Sequence, residues 1–325
     1  MTVHRASILP LLLSKGRKAK LSILSYGAGV DSHTILLNLI HDKDFRKVYV
    51  PNELIVVFSD TGCEHEFTYT FIKDVTIPLC KKHGIEFYAI TPDMGYHSEA
   101  WQSLTGQWRR GKPTIGSVAF NSASCSHNLK LEPQYRFIEK LISERYKLPF
   151  GRKKGFKAFA EKHGKISWMI GIAKGEESRV LDPALDTKKW RRESVDIVYP
   201  LIQIGFDRVS CQNYINRGGN IQPMPSSCLF CHWASNDLEL LWLELTYPDR
   251  FDEWCELEQR KLNANIEHPR NVGVCGRYHK FGTKEGKAVT LREALAEAKL
   301  KYPDADIDFL QKRKWSRGHC VKTKY

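Results

Sequence analysis

The chain is organised around residues 21–40, which read LSILSYGAGVDSHTILLNLI. An apolar run at Leu21–Leu24 precedes a loop that contains two glycines, and apolar residues then recur at helical spacing. This order predicts a strand, a tight loop and the start of a helix that Asp31 or Ser32 caps. Glycines let the backbone turn and approach a ligand closely, and the N–H groups of such a loop and of the first helical turn favour an anion. The stretch therefore predicts a site for a phosphate or pyrophosphate group.

This loop lacks the third glycine of G-x-G-x-x-G and the lysine of a Walker A sequence. It resembles the PP-loop, S-[GFY]-G-x-x-[DQ]-S, of ATP pyrophosphatases and phosphoadenylylsulfate (PAPS) reductases in the adenine nucleotide alpha hydrolase superfamily, with one extra residue before Asp31. Asp31 implies an ATP user, because reductases that bind preformed PAPS often carry Gln near this position. The resemblance implies nucleotide binding by Ser25, Tyr26, Gly27, Ala28, Gly29, Asp31 and Ser32.

Apolar runs alternate with helical stretches along the first two-thirds of the chain. After the opening strand, the runs predicted as strands are Leu54–Phe58, Glu86–Ile90 and Ser167–Ile172. Such alternation is typical of an α/β fold with a doubly wound, Rossmann-like parallel sheet and a site at the carboxyl ends of its strands. From about residue 206 the sequence changes to loops, paired cysteines and helices. We therefore predict a PP-loop nucleotide-binding domain at 1–205 and a cysteine-containing helical subdomain at 206–325.

The 325 residues are enough for one large or two medium domains with a proper core. The hydrophobic content of 42% is ordinary for a globular protein, and no apolar run approaches the roughly 20 residues that span a bilayer. The apolar run Ile8–Leu13 contains Pro10 and is not followed by a small-residue cleavage site. We therefore expect no signal peptide, no membrane partner and a cytoplasmic location.

The chain carries a net charge of +13, from 50 basic and 37 acidic residues. A solvated surface would explain any one basic cluster, whereas several clusters on one chain favour a polyanionic partner. The clusters lie at 109–112, 145–165, 188–192 and 312–324. Trp190 and Trp315 could stack on bases, although a buried position is an equal alternative. The residues predicted to contact nucleic acid are Lys153, Lys154, Lys188, Lys189, Arg191 and Arg192.

Residues 59–64, SDTGCE, follow the second predicted strand and resemble the T-G-x-E element of the PAPS reductase family. There the element lies beside the nucleotide, and its acid helps to position the ligand or a metal. The alternative is an ordinary turn in which Thr61 or Glu64 caps the next helix. The resemblance implies nucleotide contacts from Asp60, Thr61, Gly62 and Glu64.

Residues 171–179, GIAKGEESR, follow the fourth predicted strand and resemble the G-x-R-x-D-E-x-x-R turn of the family. Ala173 and Gly175 stand where the family usually has Arg and Asp. The resemblance implies that Gly171 and Glu176 contact the nucleotide and that Arg179 binds a phosphate with its guanidinium fork. An ordinary surface ion pair is the alternative for Arg179.

The chain has nine cysteines, an odd number, and no recognisable secretory signal, so metal or redox use is favoured over disulfides. Residues 124–133, SCSHNLKLEP, resemble the C-C-x-x-x-K-x-x-P element of the family, with Ser124 replacing the first Cys. This implies that Cys125 is a ligand and that Lys130 faces the nucleotide phosphates. Residues 199–233 resemble the family's YPL…C…SxCxxCP tail, in which Cys211 precedes the C-x-x-C pair Cys228 and Cys231.

Two inorganic groups remain possible at this cysteine site, because thiolate ligands suit both. One is a [4Fe–4S] cluster on Cys125, Cys228 and Cys231, with Cys211, Cys275 or an external group as the fourth ligand. The other is Zn²⁺ on a similar set that includes a histidine such as His232. The family resemblance at Cys125 favours the cluster. Cys63, Cys80 and Cys255 lie in helical patterns and are predicted as core residues.

The resemblance covers roughly residues 21–260 and implies an ATP pyrophosphatase that uses Mg²⁺. An acceptor oxygen would attack the α-phosphate, pyrophosphate would leave, and sulfur would displace AMP from the adenylylated acceptor. The sulfur would come from a partner such as a cysteine desulfurase or from the cluster. The catalytic residues implied are Asp31, Ser32, Lys130 and Arg179.

The basic clusters favour nucleic acid as the acceptor. Among relatives, the ATP pyrophosphatase components of DNA phosphorothioation systems fit best, with tRNA thiolases second, and further subunits of a modification complex are expected. A true PAPS reductase is an alternative, but the family's E-C-G-[IL]-H tail is absent and Cys320 is its one candidate substitute. A nucleic-acid-binding module that keeps a nucleotide pocket is the non-enzymatic alternative.

Overall fold

The computed structural model describes residues 19–109, 115–119, 124–225, 227–268, 271–279 and 287–316, with side chains up to residue 312. Most of the basic cluster at 109–112, nearly all of the cluster at 312–324, the Trp315 side chain and Cys320 lie outside the described residues.

Among the described residues, five parallel strands form a sheet in the order β3-β2-β1-β4-β5. The strands are β1 (Leu21–Ser25), β2 (Glu53–Ser59), β3 (Glu86–Ile90), β4 (Ile166–Ile170) and β5 (Val195–Val198). Successive side chains of a strand point to opposite faces, so in β1 Leu24 packs on one face of the sheet and Ile23 on the other. Helices cover both faces, which confirms the predicted α/β, doubly wound class. The edge strand β5 was not predicted, because its VDIV sequence is only four residues long and contains Asp196.

Helices and turns connect the strands. The helices in chain order are α1 (Val30–His41), α2 (Lys43–Tyr49), α3 (Glu66–Phe71), α4 (Ile77–Lys82), α5 (Leu104–Trp108), α6 (Glu132–Tyr146), α7 (Lys154–His163), α8 (Lys189–Ser194), α9 (Pro200–Gln203), α10 (Arg208–Arg217), α11 (Asp237–Thr246), α12 (Pro248–Ala264), α13 (Leu291–Lys301) and α14 (Ile307–Ser316). A π-helical turn at Ile72–Thr76 joins α3 to α4, and another at Ser126–Leu131 leads into α6. Short 3₁₀ turns lie at Pro92–Met94, Glu99–Trp101, Glu177–Arg179, Pro183–Leu185 and His232–Ala234.

Apolar side chains fill both sides of the sheet. On one face α1, α2 and α10 pack around residues such as Leu36 and Ile215. On the other face α6, α7 and α8 pack around residues such as Ile138, Phe159 and Trp168. Each fully buried large apolar side chain contributes about 1.5–3 kcal/mol to stability. The sheet edge that carries the loops is thereby fixed by both layers.

The C-terminal helices α11 to α14 enclose a further apolar core, which Leu104 and Trp108 of α5 join from the middle of the chain. This part returns to the sheet at the end of β2, where the Leu229 N–H donates to the Cys63 carbonyl at 2.7 Å. The predicted boundary at 205/206 falls between α9 and α10, and α10 packs against α1 in the core of the sheet. Within the described ranges, no helix is both long and apolar enough to cross a membrane.

Candidate active site

A cavity of about 80 Å³ opens at the carboxyl end of β1, beside the end of β4. The strand order reverses between these two strands, and ligands of doubly wound folds bind at such switch points. The predicted site residues that line the cavity are Ser25, Tyr26, Gly27, Gly29, Asp31, Ser32, Lys130, Gly171 and Arg179. The other lining residues are Val30, Phe58, Ser59, Leu131, Gln134, Ile170 and Arg208.

The loop between β1 and α1 is held by Ser32. Its Oγ accepts from the Gly27 N–H at 3.2 Å and donates to the Gly29 carbonyl at 3.2 Å. Gly29 is the N-cap of α1 and supplies no side chain, so the prediction that Asp31 or Ser32 caps this helix is wrong; both residues lie in its first turn. No side chain among the described residues caps α1, so the first N–H groups of the helix can serve an anion. The loop residue with a positive φ is Ala28, at 54°, while Gly29 is extended.

Gly171, at the end of β4, lets that strand approach the start of α1. A Cβ at this position would lie 2.8 Å from the Ser32 N and 3.1 Å from the Asp31 Cβ. Contacts this short involve backbone that cannot move aside without displacing the loop. The glycine is therefore required for the shape of the cavity.

The side chains of Tyr26, which is buried, and Ser25, which is partly buried, anchor the loop to neighbouring elements. The Tyr26 hydroxyl lies 3.0 Å from His33 Nδ1 and 2.9 Å from Thr76 Oγ1, and burial raises the pKa of Tyr26. The Ser25 hydroxyl donates to Gln134 Oε1 of α6 at 2.8 Å. The Tyr26 ring thus belongs to the core, and the loop is fixed to elements on both faces of the sheet.

Four charged residues form an alternating network beside the cavity, and three of them, Asp31, Arg179 and Arg208, line it. Arg208 of α10 lies 2.9 Å from Asp31 Oδ1 and 3.0 Å from Glu176 Oε1, and Glu176 also pairs with Arg179. Burial raises the pKa of Asp31 to about 6, against the opposing effect of the Arg208 charge. The charges of this network cancel, and Lys130 adds a positive charge on the other side of the cavity. The site thus combines a glycine loop, a helix N-terminus and three cations, which suits a polyphosphate.

Lys130 connects this cavity with a second one. It lies in the π-helical turn before α6, a feature that often marks functional sites. Its Nζ is 3.8 Å from Glu64 Oε1, and the residue lines both cavities.

The T-G-x-E element lies between the two cavities. The Asp60 carboxylate accepts from the Gly62 N–H and the Tyr69 hydroxyl, both at 2.8 Å, and burial raises its pKa. Thr61 Oγ1 donates to Glu64 Oε1 at 2.9 Å. Thr61 lines the second cavity, whereas Asp60, Gly62 and Glu64, like Ala28 and Glu176, are not among the residues that line the first.

The second cavity, the cysteine cavity, has a volume of about 20 Å³ and is lined by Cys125, Cys228, Cys231 and His232. The Cys228 Sγ lies 3.4 Å from Thr61 Oγ1 and 3.7 Å from Glu64 Oε1. Burial lowers the pKa of His232 to about 4, which keeps the imidazole neutral.

The thiols and the imidazole that line the cysteine cavity are donors that suit a thiophilic metal. They are not close enough together to bind one in this arrangement. Within the described part of the chain, no three His, Cys, Asp or Glu side chains are close enough together to hold a metal ion. A space of 20 Å³ holds about one water-sized group, which is too small for a four-iron cluster. Metal loading would therefore require the walls of the cavity to move.

The two cysteines considered as a fourth ligand lie elsewhere. Cys211 is fully buried in the core between α10 and α1, where Thr34 contacts its carbonyl, and burial raises its pKa. Cys275 is buried beside the Ser235 carbonyl, at 3.7 Å, and burial raises its pKa to about 11. Neither residue lines the cysteine cavity. No disulfide joins the cysteines that the structure describes.

The predicted nucleic-acid residues fall into two groups. Arg191 is buried and pairs with both carboxylate oxygens of Asp186, at 2.6 and 2.8 Å, while the Lys153 ammonium pairs with Glu132 at 3.2 Å. Lys188 is half-buried and donates to His127 Nε2 at 2.7 Å. The exposed members are Lys154, Lys189 and Arg192.

Sequence reasoning missed three polar residues of the cavity between β1 and β4, which we name the phosphate cavity after the group that its cations suit: Ser59, Gln134 and Arg208. Ser59 and Gln134 could be inferred from their positions at the end of β2 and in the first turn of α6. Arg208 carries no such signal, because only the packing of α10 against α1 brings it to Asp31.

No family model and no curated protein matches this chain. Among solved structures it is similar to PAPS reductase from Candida auris in a phosphate complex, with 14% identity, a TM-score of 0.34, and coverage of 67% of this chain and 81% of that chain. It is also similar to the U34-tRNA thiolase NcsA from Methanococcus maripaludis with its [4Fe–4S] cluster, with 12% identity, a TM-score of 0.36, and coverage of 94% and 81%.

Proposed function

We propose that this chain is an ATP pyrophosphatase of the PP-loop, PAPS reductase-like type that adenylylates an acceptor for sulfur transfer. The observation that carries the proposal is the cavity between β1 and β4, where the Ser25–Ser32 loop, Lys130, Arg179 and Arg208 meet. Catalysis of this kind depends mainly on positioning and on stabilising charge. The loop amides and the three cations would serve those two tasks.

In the proposed reaction an acceptor oxygen attacks the α-phosphorus of ATP and the bond to the β-phosphate oxygen breaks. The loop amides and the first turn of α1 hold the leaving pyrophosphate, and Lys130 and Arg179 balance its charge. Mg²⁺ bound to the triphosphate would supply further charge neutralisation. A sulfur nucleophile from a partner such as a cysteine desulfurase then displaces AMP, which carries away the acceptor oxygen.

The rate of pyrophosphate release from ATP tests this proposal. It is measured with tRNA, with DNA and without nucleic acid. Ser32→Ala removes the hydroxyl that bridges Gly27 and Gly29 and should lower the rate at least tenfold. Ser178→Ala, an exposed serine near the same cavity, should not change it. ATP binding without cleavage under all three conditions would instead favour a non-catalytic nucleotide-binding module.

The acceptor is proposed to be nucleic acid, with the DNA backbone favoured and tRNA second. The exposed residues Lys154, Lys189 and Arg192 support this through their charge, whereas the buried Arg191 pair with Asp186 serves the fold. The logarithm of the binding constant should fall linearly with the logarithm of the salt concentration. Each phosphate that the protein neutralises should add about −0.9 to this slope for duplex or about −0.7 for single strands.

Lys154→Gln with Lys189→Gln should weaken binding of all sequences alike, because backbone contacts carry no sequence information. The matched control is Lys73→Gln with Lys82→Gln, two exposed lysines on α4 and the turn before it. If no nucleic acid binds saturably at near-physiological salt, the acceptor is a small molecule and the pyrophosphatase proposal stands alone.

For the cysteine cavity we propose an inorganic group held by Cys125, Cys228 and Cys231 after the walls move, as a [4Fe–4S] cluster or as Zn²⁺ with His232. Anaerobic purification followed by iron and zinc analysis distinguishes them. Cys228→Ser should lower the bound metal, and Cys80→Ser, buried in the core of the sheet, should leave it unchanged. A metal content equal in all three proteins would exclude this site.

A further inference from the structure

Arg208 occupies an unusual position for a charged side chain. It is the first residue of α10, a helix that Asp207 caps by accepting from the Ser210 N–H at 2.7 Å. From there the side chain reaches the first turn of α1, where it meets Asp31, and the loop after β4, where it meets Glu176. One guanidinium therefore joins two helix N-termini and one loop at the edge of the phosphate cavity.

The hydrogen bonding of Arg208 is incomplete. Its Nε is buried and has no hydrogen-bond partner among the described residues, although the other guanidinium nitrogens contact Asp31 and Glu176. Buried ion pairs contribute little net stability unless their remaining donors are satisfied, and an unsatisfied buried donor is costly. Stability alone therefore does not account for this arrangement, whereas an entering oxyanion would supply the acceptor that the Arg208 Nε lacks.

We propose that Arg208 is a direct ligand of the nucleotide phosphates, held ready by Asp31 and Glu176 until the nucleotide binds. This inference rests on the proposed function. It adds Arg208 to the residues that bind the nucleotide, and it assigns Arg208 to the polyphosphate rather than to the nucleoside. A guanidinium presents several donors in a fixed fork, so Arg208 can retain one carboxylate while it binds a phosphate oxygen. Ligand binding then links α10 to the loop of α1.

Affinities for ATP, inorganic pyrophosphate and adenosine test the proposal by calorimetry. Arg208→Gln should weaken ATP and pyrophosphate binding about 10- to 100-fold, the range for a lost charge-assisted hydrogen bond, and leave adenosine unchanged. Arg208→Lys keeps the charge but loses the fork, and should lie between wild type and Arg208→Gln. Arg217→Gln removes the same charge from the exposed end of α10 and should have no effect.

A second variant should change the pyrophosphate affinity in the opposite direction. Glu176→Gln removes a carboxylate that competes for Arg208, so pyrophosphate should bind several-fold more tightly. This gain should be smaller in the Arg208→Gln background, where the competing pair with Arg208 no longer exists and only the pair of Glu176 with Arg179 is released. If Arg208→Gln does not fold, Arg208→Lys and Glu176→Gln alone still give the predicted weakening and tightening.

Pyrophosphate affinity that is equal in wild type and Arg208→Gln, or a gain from Glu176→Gln that is equally large with and without Arg208, would overturn the inference. If wild type nevertheless cleaves ATP to AMP and pyrophosphate, the proposed function survives. If wild type binds neither ATP nor pyrophosphate, both proposals fail.

Discussion

The two cavities share Lys130 but differ in how far their residues are already arranged. In the phosphate cavity the loop is fixed by Ser32, the carboxylates have cationic partners, and a glycine fits the strand to the helix. In the cysteine cavity the thiols line one small space, yet no three donors of the described chain are close enough together to hold a metal ion.

The difference lies in what fixes the walls of each cavity. Both cavities draw on segments that are far apart in sequence. In the phosphate cavity the stretch from β1 to α1 is tied to elements on both faces of the sheet, through the Ser25 hydroxyl to Gln134 and through the Tyr26 hydroxyl to Thr76. A site held in this way is preformed, whereas a site whose donors stand apart can be completed by what it binds.

Gly171→Ala should have the largest effect on the phosphate cavity. The added Cβ would lie 2.8 Å from the Ser32 N, so the start of α1 must shift. Pyrophosphate release should fall about 100-fold, the cost of a displacement near 1 Å at a catalytic site, and the free energy of unfolding should fall by about 1–3 kcal/mol.

The control for that variant is Gly84→Ala, where φ is +61° and nothing lies within 4 Å of the new Cβ. It should lose about 1 kcal/mol of stability through backbone strain and keep full activity. Equal activity of Gly171→Ala and wild type would show that the cavity is not rigid.

The pH profile of ATP cleavage should report Asp31. Burial raises its pKa to about 6, and we expect the carboxylate form to be active because it positions Arg208. Activity should therefore be full above pH 7 and fall about tenfold per pH unit below the pKa. The charged or titratable groups that face Asp31 are Arg208, Glu176, Arg179 and Cys211.

Because Arg208 lowers the pKa of Asp31, Arg208→Gln should move the acid limb to higher pH, whereas Arg217→Gln should leave it in place. An acid limb that stays at the same pH in Arg208→Gln would show that Asp31 is not the titrating group.

Glu258 gives the C-terminal part a pH dependence of its own. It is buried and accepts from the Val274 and Leu291 N–H groups, and burial raises its pKa from 4.5 to about 7. The folded chain thus holds this proton more tightly than the unfolded chain. The stabilising contribution is full below about pH 4.5 and is lost as pH rises through about 7.

Glu258→Gln should flatten the change in melting temperature between pH 5 and 8. It should also cost about 1–3 kcal/mol, because one backbone N–H then faces the amide nitrogen. Glu256→Gln, on the exposed side of α12, should change neither quantity. An unchanged pH slope in Glu258→Gln would assign the dependence to another group.

Cys228→Ser should separate the two cavities. The thiol lies near Thr61 and Glu64 but not in the phosphate cavity, so ATP affinity should stay within about twofold of wild type, below the cost of one lost hydrogen bond. A tenfold loss of ATP affinity would mean that the cavities are coupled through Glu64 and Lys130.

Ala28→Gly should have the smallest effect. Glycine relieves the positive φ of 54° but loses a buried methyl and gains freedom in the unfolded chain. The free energy of unfolding should change by less than about 1 kcal/mol, as measured by urea denaturation. A larger loss would mean that the methyl shapes the loop.

Sequence alone predicted the sheet and the loop well, because both depend on local pattern. A few consecutive residues are enough to recognise the apolar runs of β1, β2 and β3 and the glycine loop. The left-handed residue was not predictable in the same way, since Ala28 rather than a glycine takes that conformation. The N-cap was misassigned because a glycine with no side chain occupies it.

What sequence could not give were contacts between distant elements. Arg208 meets Asp31 only because α10 packs on α1, and Cys211 enters the core of the sheet for the same reason. The charge clusters likewise looked uniform, yet Arg191 is paired inside the fold while Lys189 is exposed. Burial and pairing of charges depend on tertiary packing, which no motif records.

The central claim is that the phosphate cavity directs attack to the α-phosphorus of ATP. The direct measurement is the fate of ATP labelled at the α-phosphate, separated by chromatography in the presence and absence of acceptor. We expect the label in AMP or in an adenylylated acceptor, with pyrophosphate in equal amount, and no reaction in Asp31→Ala. Label in ADP, with inorganic phosphate as the other product, would contradict the claim.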